Sequence, residues 1–182
     1  AGSDAPYGMA AVLGLNYEDV VKCMPENKEV VAANYNLKDQ IVISGLSKAI
    51  EDITPKLQEA GAKRVMPLKV SGAFHSPFMK PAADSLKEFL ENIKFNNSQN
   101  KVFSNVTAEI HSFDSIKENL YKQMFSTVKW FDSMINMQKL GITKIYECGP
   151  GKVLTGMSKK IAPDIEAISV FDIDSLNSAI NN

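Results

Sequence analysis

The chain has 182 residues, of which 45% are hydrophobic and 23% charged, so it can form an ordinary globular core without disulfides or metal ions. Its formal net charge of -1 argues against a nucleic-acid-binding surface, and no apolar run is long enough to span a bilayer. The two cysteines stand far apart and outside any metal-ligand spacing, and the N-terminus lacks a signal-peptide pattern; these features favour reduced thiols in a cytoplasmic protein.

The first seventy residues predict six elements in the order βαββαβ, the arrangement of a ferredoxin-like unit. The strands are expected at residues 8–15, 30–35, 40–44 and 63–70. Apolar residues at helical spacing mark helices within 17–24 and 46–60, and Gly61 is the expected stop of the second. Pro67 cannot donate to a strand ladder, so the fourth strand should lie at an edge of the sheet.

The rest of the chain alternates between predicted helices and strands, which indicates a mostly parallel sheet covered on both faces. The strands are expected at residues 101–105, 144–148 and 167–170. The helices are expected near residues 79–93, 112–124, 130–140, 153–161 and 174–180, the second of them capped by Ser112. Three strands would leave apolar faces and an edge uncovered. We therefore expect a part of a larger layer whose other strands are missing or lie on another chain.

His75 is the candidate for acid–base chemistry. It lies in the segment 71–79, a loop that follows the last strand of the small unit and precedes a helix, at a seam where clefts form. An imidazole there is either a locally hydrogen-bonded loop residue or a general base that titrates near neutrality, and position alone leaves both open. His111 lies in a connecting turn and is expected to be a solvated loop residue.

A histidine base needs a nucleophile, which in hydrolase-like folds stands in a G-x-S-x-G turn between a strand and a helix. The nearest match, Gly45-Leu46-Ser47-Lys48-Ala49, lacks the second glycine, so we predict that Ser47 is a helix N-cap. Gly149-Pro150-Gly151-Lys152 opens a helix but fails the spacing of a phosphate-binding loop. A packing turn is favoured there over an anion site.

Seven segments form a specific pattern when they are taken together. In chain order they are Gly-Met-Ala-Ala-Val-Leu-Gly-Leu at 8–15, Ala-Asn-Tyr-Asn at 33–36, Gln-Ile-Val-Ile-Ser-Gly at 40–45, Ala-Gly-Ala-Lys-Arg at 60–64, Gly-Ala-Phe-His-Ser-Pro at 72–77, Met-Lys-Pro-Ala-Ala at 79–83 and Tyr-Glu-Cys-Gly-Pro-Gly-Lys-Val-Leu-Thr-Gly at 146–156. This pattern resembles the malonyl-CoA:acyl-carrier-protein transacylase family and covers nearly the whole chain in the right order.

The resemblance implies a ferredoxin-like small domain, expected at residues 1–71, and the C-terminal part of an α/β-hydrolase-like acyltransferase domain, expected at 72–182. It also implies the S-malonyltransferase of fatty acid biosynthesis. A serine takes malonate from malonyl-CoA and passes it to the phosphopantetheine thiol of acyl carrier protein. Malonyl-CoA and acyl carrier protein are then the partners, and no bound cofactor, metal ion, nucleic acid or membrane is expected.

The resemblance also assigns roles to single residues. His75 matches the general base, and Gln123 matches the position whose backbone carbonyl orients that base in place of a triad acid. Phe74 matches the residue that crowds the acyl pocket and favours malonyl over α-branched groups. The other matches are a polar pair near the cleft between domains, Asn34 and Asn36, and a basic pair for docking an acidic carrier protein, Lys63 and Arg64.

The chain departs from the family in one large respect. The family's first half carries the motif G-Q-G-S-Q, the serine elbow G-H-S-L-G-E and an arginine that binds the malonyl carboxylate, and none of these occurs in the 182 residues. We expect a C-terminal part of an active transacylase that lacks the N-terminal half and is inactive alone. Two alternatives stay open: a standalone ferredoxin-like binding or regulatory module, and a transacylase that serves a polyketide synthase.

Overall fold

The computed structural model describes residues 6–96 and 99–181. Contacts divide the chain into two compact units, a first that ends at Trp130 and a second that begins at Phe131. The domain boundary expected between residues 71 and 72 rests on the resemblance and stays a prediction, since the contacts keep both sides of it within the first unit. No helix among the described residues is long and apolar enough to cross a bilayer.

The first unit begins with the six predicted elements. They are β1 (Tyr7–Leu13), α1 (Tyr17–Cys23), β2 (Val30–Leu37), β3 (Gln40–Leu46), α2 (Ser47–Glu59) and β4 (Arg64–Pro67). The four strands form an antiparallel sheet in the order β2-β3-β1-β4, which confirms the ferredoxin-like arrangement. The edge position of the fourth strand is also confirmed, because within residues 6–96 and 99–181 β4 pairs only with β1, and Pro67 lies opposite Ala10.

Apolar side chains on both faces of this sheet explain why β1 and β3 have nearly continuous apolar sequences. One face packs against the two helices. The most buried residues of the resulting core are Val12, Val30, Ile41 and Ile43 from the strands, Val20 from α1 and Leu57 from α2. The other face buries a smaller cluster of Met9, Ala33 and Val42. Strands that are covered on both faces do not alternate between apolar and polar residues, and this is the pattern that the sequence shows.

The prediction that Ser47 is a helix N-cap is wrong. Helix α2 begins at Ser47 itself, and its N-cap is Leu46, whose backbone is extended and whose side chain makes no capping hydrogen bond. Strand β3 runs without a break to Leu46, and the Ser47 backbone N–H donates to the carbonyl oxygen of Pro6 at 3.0 Å. The strand therefore passes directly into the helix, and Ser47 stands one position too late to be the cap.

The first unit continues with two helices, each preceded by a short 3-10 helix. Pro77–Met79 leads into α3 (Lys80–Glu91), and Phe113–Ser115 leads into α4 (Ile116–Lys122). The strand predicted at residues 101–105 is wrong, because only Phe103 forms an isolated antiparallel bridge, with Ile110. The chain turns tightly between these two residues, where the Ala108 N–H donates to the Ser104 carbonyl oxygen at 2.8 Å.

The hydroxyl of Ser112 does not act as the predicted helix cap. Ser112 precedes the short 3-10 helix Phe113–Ser115 and makes no side-chain capping bond to it. Its hydroxyl instead donates to the hydroxyl of Ser115 at 2.8 Å. Helix α4 has Ser115 as its N-cap residue.

The second unit is a small α/β arrangement. It contains α5, which begins at the last residue of the first unit (Trp130–Lys139), β5 (Lys144–Cys148), α6 (Val153–Ile161), β6 (Glu166–Val170) and α7 (Ile173–Ile180). Strands β5 and β6 pair in parallel, as the alternation of helices and strands predicts. Two strands of the three that the sequence suggested are therefore present among the described residues.

The Gly-Pro-Gly-Lys turn leads into the N-terminus of α6, which is capped by the carboxylate of Glu147. Glu147 accepts hydrogen bonds from the backbone N–H groups of Leu154 at 3.0 Å and Thr155 at 2.7 Å. Partial burial raises the pKa of Glu147, but the N–H donors outweigh it, and the pKa lies below its usual value. The carboxylate occupies the place that an external anion would take, which favours the packing-turn interpretation.

Candidate active site

The loop that carries His75 has an unusual backbone. His75 has a φ of 57°, in the left-handed region that residues with a Cβ rarely adopt. The next residue, Ser76, is fully buried and donates its hydroxyl to the carbonyl oxygen of Ala73 at 2.6 Å, which closes the turn around the histidine. A strained residue that is held by buried contacts on both sides is typical of a functional position.

The His75 ring has a defined orientation and a defined tautomer. Its Nδ1 atom lies 2.9 Å from the backbone carbonyl oxygen of Gln123. A carbonyl oxygen only accepts, so Nδ1 carries the hydrogen and donates it. The neutral ring then has an unprotonated Nε2, which can accept a proton. This arrangement is what a general base requires: one nitrogen held by an acceptor and the other left for chemistry.

Gln123 is itself fixed on both sides along the chain. It is the C-cap of α4, and its backbone N–H donates to the carbonyl oxygen of Asn119 at 2.9 Å. The segment that follows is bound to β2 by three hydrogen bonds, from Thr127 Oγ1 to Ala32 O at 2.7 Å, from Val128 N to Ala33 O at 2.8 Å and from Tyr35 N to Val128 O at 2.9 Å. The sheet of the small unit therefore positions the carbonyl that orients the histidine.

A cavity of about 520 Å³ lies beside the histidine, entirely within the first unit. Its wall is formed by α1, by the turn that leads to β2, by residues 30–32 of β2, by His75 with Pro77, and by residues 125–127. The volume lies within the range of roughly 300–1,000 Å³ that is usual for small-molecule sites. A hydroxyl or thiol that enters this cavity can approach His75, whose Nδ1 atom is already hydrogen-bonded to the Gln123 carbonyl oxygen.

Comparison with known proteins decides the family. The acyl transferase domain family matches residues 3–149, well over half of the chain. This chain belongs to the acyl transferase domain family. It is 40% identical over 171 residues to the malonyl CoA-acyl carrier protein transacylase of Synechocystis sp., a match that covers 93% of this chain and 57% of that protein. It is 41% identical over 177 residues to the protein of the same name from Bacillus subtilis, with 94% and 56% covered.

Solved structures agree with this assignment. The fold of this acyl transferase domain superposes with a TM-score of 0.92 on a solved structure described as a type II PKS acyl-carrier protein in complex with its malonyl-transacylase. The two are 34% identical, and the match covers 100% of this chain and 60% of the other. The α/β fold class with a ferredoxin-like small unit is thus shown, and the chain spans less than two thirds of the proteins it matches.

The residues to which the resemblance gave roles have different positions in this acyl transferase domain. His75 and Gln123 are brought together. Phe74 follows the buried Ala73, is 40% exposed, and is not among the residues that line the cavity. Asn34 and Asn36 are half-buried in β2, but the described cavity wall takes its β2 residues from positions 30–32. The substrate roles of these residues stay predictions.

The remaining candidates lie outside the cavity wall. Lys63 and Arg64 are exposed, at the start of β4, and the side chain of Lys63 lies against Gly14. Their role in docking a carrier protein stays a prediction. His111 does lie in a loop, but the expectation of a solvated ring is wrong. It is half-buried, its Nδ1 lies 3.1 Å from the Asn119 side-chain amide, and burial lowers its pKa.

The α1 side of the cavity could not be assigned from the sequence. Tyr17, Val21 and Met24 belong to the apolar pattern that marks the first helix, and all three line the cavity. Helical periodicity shows that a face is apolar, but it does not show whether that face meets a core or an opening. Lys28, which also lines the cavity, has a φ of 59° in the turn before β2, and nothing in its sequence context predicts this.

Proposed function

We propose that this chain provides the general base of a malonyl-CoA:acyl-carrier-protein S-malonyltransferase. The observation that carries the proposal is the orientation of His75, whose Nδ1 is held by the Gln123 carbonyl at the wall of the cavity. Membership of the acyl transferase domain family and the names of the relatives support the same reaction. Family membership also favours an enzyme over the alternative of a regulatory ferredoxin-like module.

The mechanism consists of two half-reactions. His75 Nε2 takes the proton of a serine hydroxyl as that oxygen attacks the malonyl thioester, and the imidazolium returns the proton to the departing CoA thiol. In the second half-reaction, His75 takes the proton of the incoming carrier thiol, the thiolate attacks the malonyl ester, and the serine oxygen regains its proton. The Gln123 carbonyl stabilises the imidazolium that forms in each half-reaction.

The nucleophile that the resemblance implies stands in a G-H-S-L-G-E motif, which these 182 residues do not contain. The proposal therefore concerns the complete product of the gene that encodes this chain.

The finer assignments are proposals of the same kind. We propose acyl carrier protein as the acceptor, with support from the names of the relatives and from the complex of a transacylase with its carrier. Phe74 would select malonyl, Asn34 and Asn36 would contact the substrate, and the basic pair at positions 63–64 would meet the acidic carrier. Malonyl-CoA is the substrate, and no bound cofactor is required. The cytoplasm is the proposed compartment, supported by two free thiols.

The test replaces one histidine at a time in the complete gene product. We expect His75→Ala to lower the rate of malonyl transfer from malonyl-CoA to carrier protein by about 100- to 10,000-fold, the usual contribution of a general base. His111→Ala is the matched control, because His111 is the other histidine of the chain and lies away from the cavity wall. Transfer at the wild-type rate by His75→Ala, or an equal loss in both variants, would contradict the proposal.

A polyketide carrier is the second candidate acceptor. It is favoured by one observation, the similarity to a transacylase solved with a type II PKS acyl-carrier protein. Rates measured with a fatty-acid carrier and a polyketide carrier at equal concentration would separate the two. A preference of tenfold or more, equal to about 1.4 kcal/mol in transition-state binding, would identify the acceptor.

A further inference from the structure

Three side chains on α3 and α4 form a closed cluster of hydrogen bonds. Lys80 opens α3, and Asp84 follows one turn later, with 3.1 Å between the Lys80 ammonium and the Asp84 carboxylate. The hydroxyl of Tyr121, on α4, donates to the same carboxylate oxygen at 2.8 Å and accepts from the Lys80 ammonium. The two helices are thus connected by a triangle in which every member contacts the other two.

Aromatic contacts reinforce the triangle. The Lys80 ammonium lies 5.2 Å from the ring centroid of Tyr121 and 5.6 Å from that of Phe125. The two rings meet edge to face at 5.1 Å. Hydrogen bonds from Tyr121 and Lys80 lower the pKa of Asp84, and those with Tyr121 and Asp84 raise the pKa of Lys80, so both groups stay charged at neutral pH.

The triangle stands next to both partners of the active-site hydrogen bond. Lys80 comes five residues after His75, with only Ser76 and the 3-10 helix Pro77–Met79 between them. Tyr121 comes two residues before Gln123, whose carbonyl receives the His75 Nδ1–H. These connections form a closed ring. The chain joins His75 to Lys80 and Tyr121 to Gln123, and hydrogen bonds join Lys80 to Tyr121 and Gln123 to His75. The two residues that form the 2.9 Å hydrogen bond thus adjoin the start of α3 and the end of α4, the two helices that the triangle connects.

We propose that Lys80, Asp84 and Tyr121 are positioning residues, which hold the Gln123 carbonyl against the Nδ1 atom of His75. This inference rests on the proposed function, in which His75 is the general base. The bonds to β2 fix the chain after Gln123, and the triangle fixes the chain before it. Without the triangle, the end of α4 moves relative to α3, and the ring no longer keeps its Nδ1–H tautomer and its hydrogen bond to the Gln123 carbonyl.

The test uses Tyr121→Phe and Asp84→Asn in the complete gene product. Tyr121→Phe keeps the ring contacts and removes only the hydroxyl, and Asp84→Asn removes the charge. The matched control is Asp52→Asn, which breaks a Lys48–Asp52 ion pair of the same i,i+4 spacing on α2, with 2.6 Å between its charged atoms. We expect kcat for malonyl transfer to fall about tenfold in both test variants, with KM for malonyl-CoA within about twofold, because misplaced catalytic groups cost rate rather than binding.

A second measurement reports on the ring itself. Nitrogen-15 NMR of the histidines, with His75 assigned by its loss in His75→Gln, is expected to show an Nδ1–H tautomer in the wild type and in Asp52→Asn. A mixture of tautomers is expected in Tyr121→Phe. An unchanged tautomer and an unchanged kcat in both test variants would overturn the inference, even if their melting temperatures fall. The activity of His75→Ala tests the proposed function separately, so each failure can be recognised.

Discussion

Replacement by alanine is expected to have opposite effects on stability at two fully buried serines. Ser76, beside the candidate base, donates its hydroxyl to the Ala73 carbonyl oxygen at 2.6 Å. Ser44, in β3, has a buried hydroxyl with no hydrogen-bond partner within residues 6–96 and 99–181. We expect Ser76→Ala to lower the free energy of unfolding and Ser44→Ala to leave it unchanged or raise it, because only the first substitution removes a hydrogen bond.

The magnitude follows from what each hydroxyl does in the folded state. Ser76→Ala deprives the carbonyl of the buried Ala73 of this donor, at a cost of about 1–3 kcal/mol. Ser44→Ala removes a polar group that is desolvated without compensation, for a change between zero and a gain of about 1 kcal/mol. The two variants should therefore differ by about 1–4 kcal/mol in their free energy of unfolding, although each loses the same single oxygen atom.

Urea denaturation of the complete gene product measures this difference. With an m-value of about 2 kcal/mol/M, the transition midpoint of Ser76→Ala should lie about 0.5–2 M below that of Ser44→Ala. Ser76→Ala should also lower malonyl transfer, since its bond closes the turn that holds His75 at a φ of 57°. Equal midpoints in the two variants, or a larger loss of stability in Ser44→Ala, would refute the reasoning.

Two further predictions concern the sheet and the second histidine. A Cβ at Gly45 would lie 1.9 Å from the Glu29 carbonyl oxygen, whereas a Cβ at Gly8 meets only the Ser47 hydroxyl at 3.2 Å. Gly45→Ala should therefore destabilise the fold by about 1–3 kcal/mol or more, and Gly8→Ala by less, as measured by thermal unfolding. Burial lowers the pKa of His111 in the folded state, so the unfolded chain binds a proton first as the pH falls below about 6.5. The free energy of unfolding should therefore decrease as the pH is lowered through that range, and it should decrease less steeply in His111→Gln. Identical slopes in the two proteins would contradict this prediction.

The small unit could be predicted from sequence because its signals are local. The apolar runs at β1 and β3 predict two strands, and the proline at the end of β4 predicts that this strand lies at an edge of the sheet. The structure has these strands in the expected order. The strand predicted at residues 101–105 failed for a physical reason. Only Val102 and Phe103 are apolar there, Val102 has 56% of its surface exposed, and a tight turn takes up the following residues. Two apolar residues without a sheet to cover do not make a strand.

The site was accessible to sequence reasoning only in part. His75 drew attention because it lies in a loop between elements, but the contact with Gln123 spans 48 positions, and only the family resemblance suggested it. The Lys80–Asp84 pair is visible as an i,i+4 pair on a helix. Its third member, Tyr121, lies 37 positions from Asp84, and no periodicity links residues that distant. Tertiary packing, not local pattern, assembles these groups.

The central claim is that the His75 imidazole moves the proton in malonyl transfer. Chemical rescue tests it most directly: the rate at which malonyl-CoA loads the complete gene product is measured for His75→Ala, with and without added imidazole. The account predicts that loading is lost in His75→Ala and returns in a saturable manner with imidazole, while His111→Ala loads normally and does not respond. Loading at the wild-type rate without imidazole, or a loss that imidazole never changes, would contradict the claim.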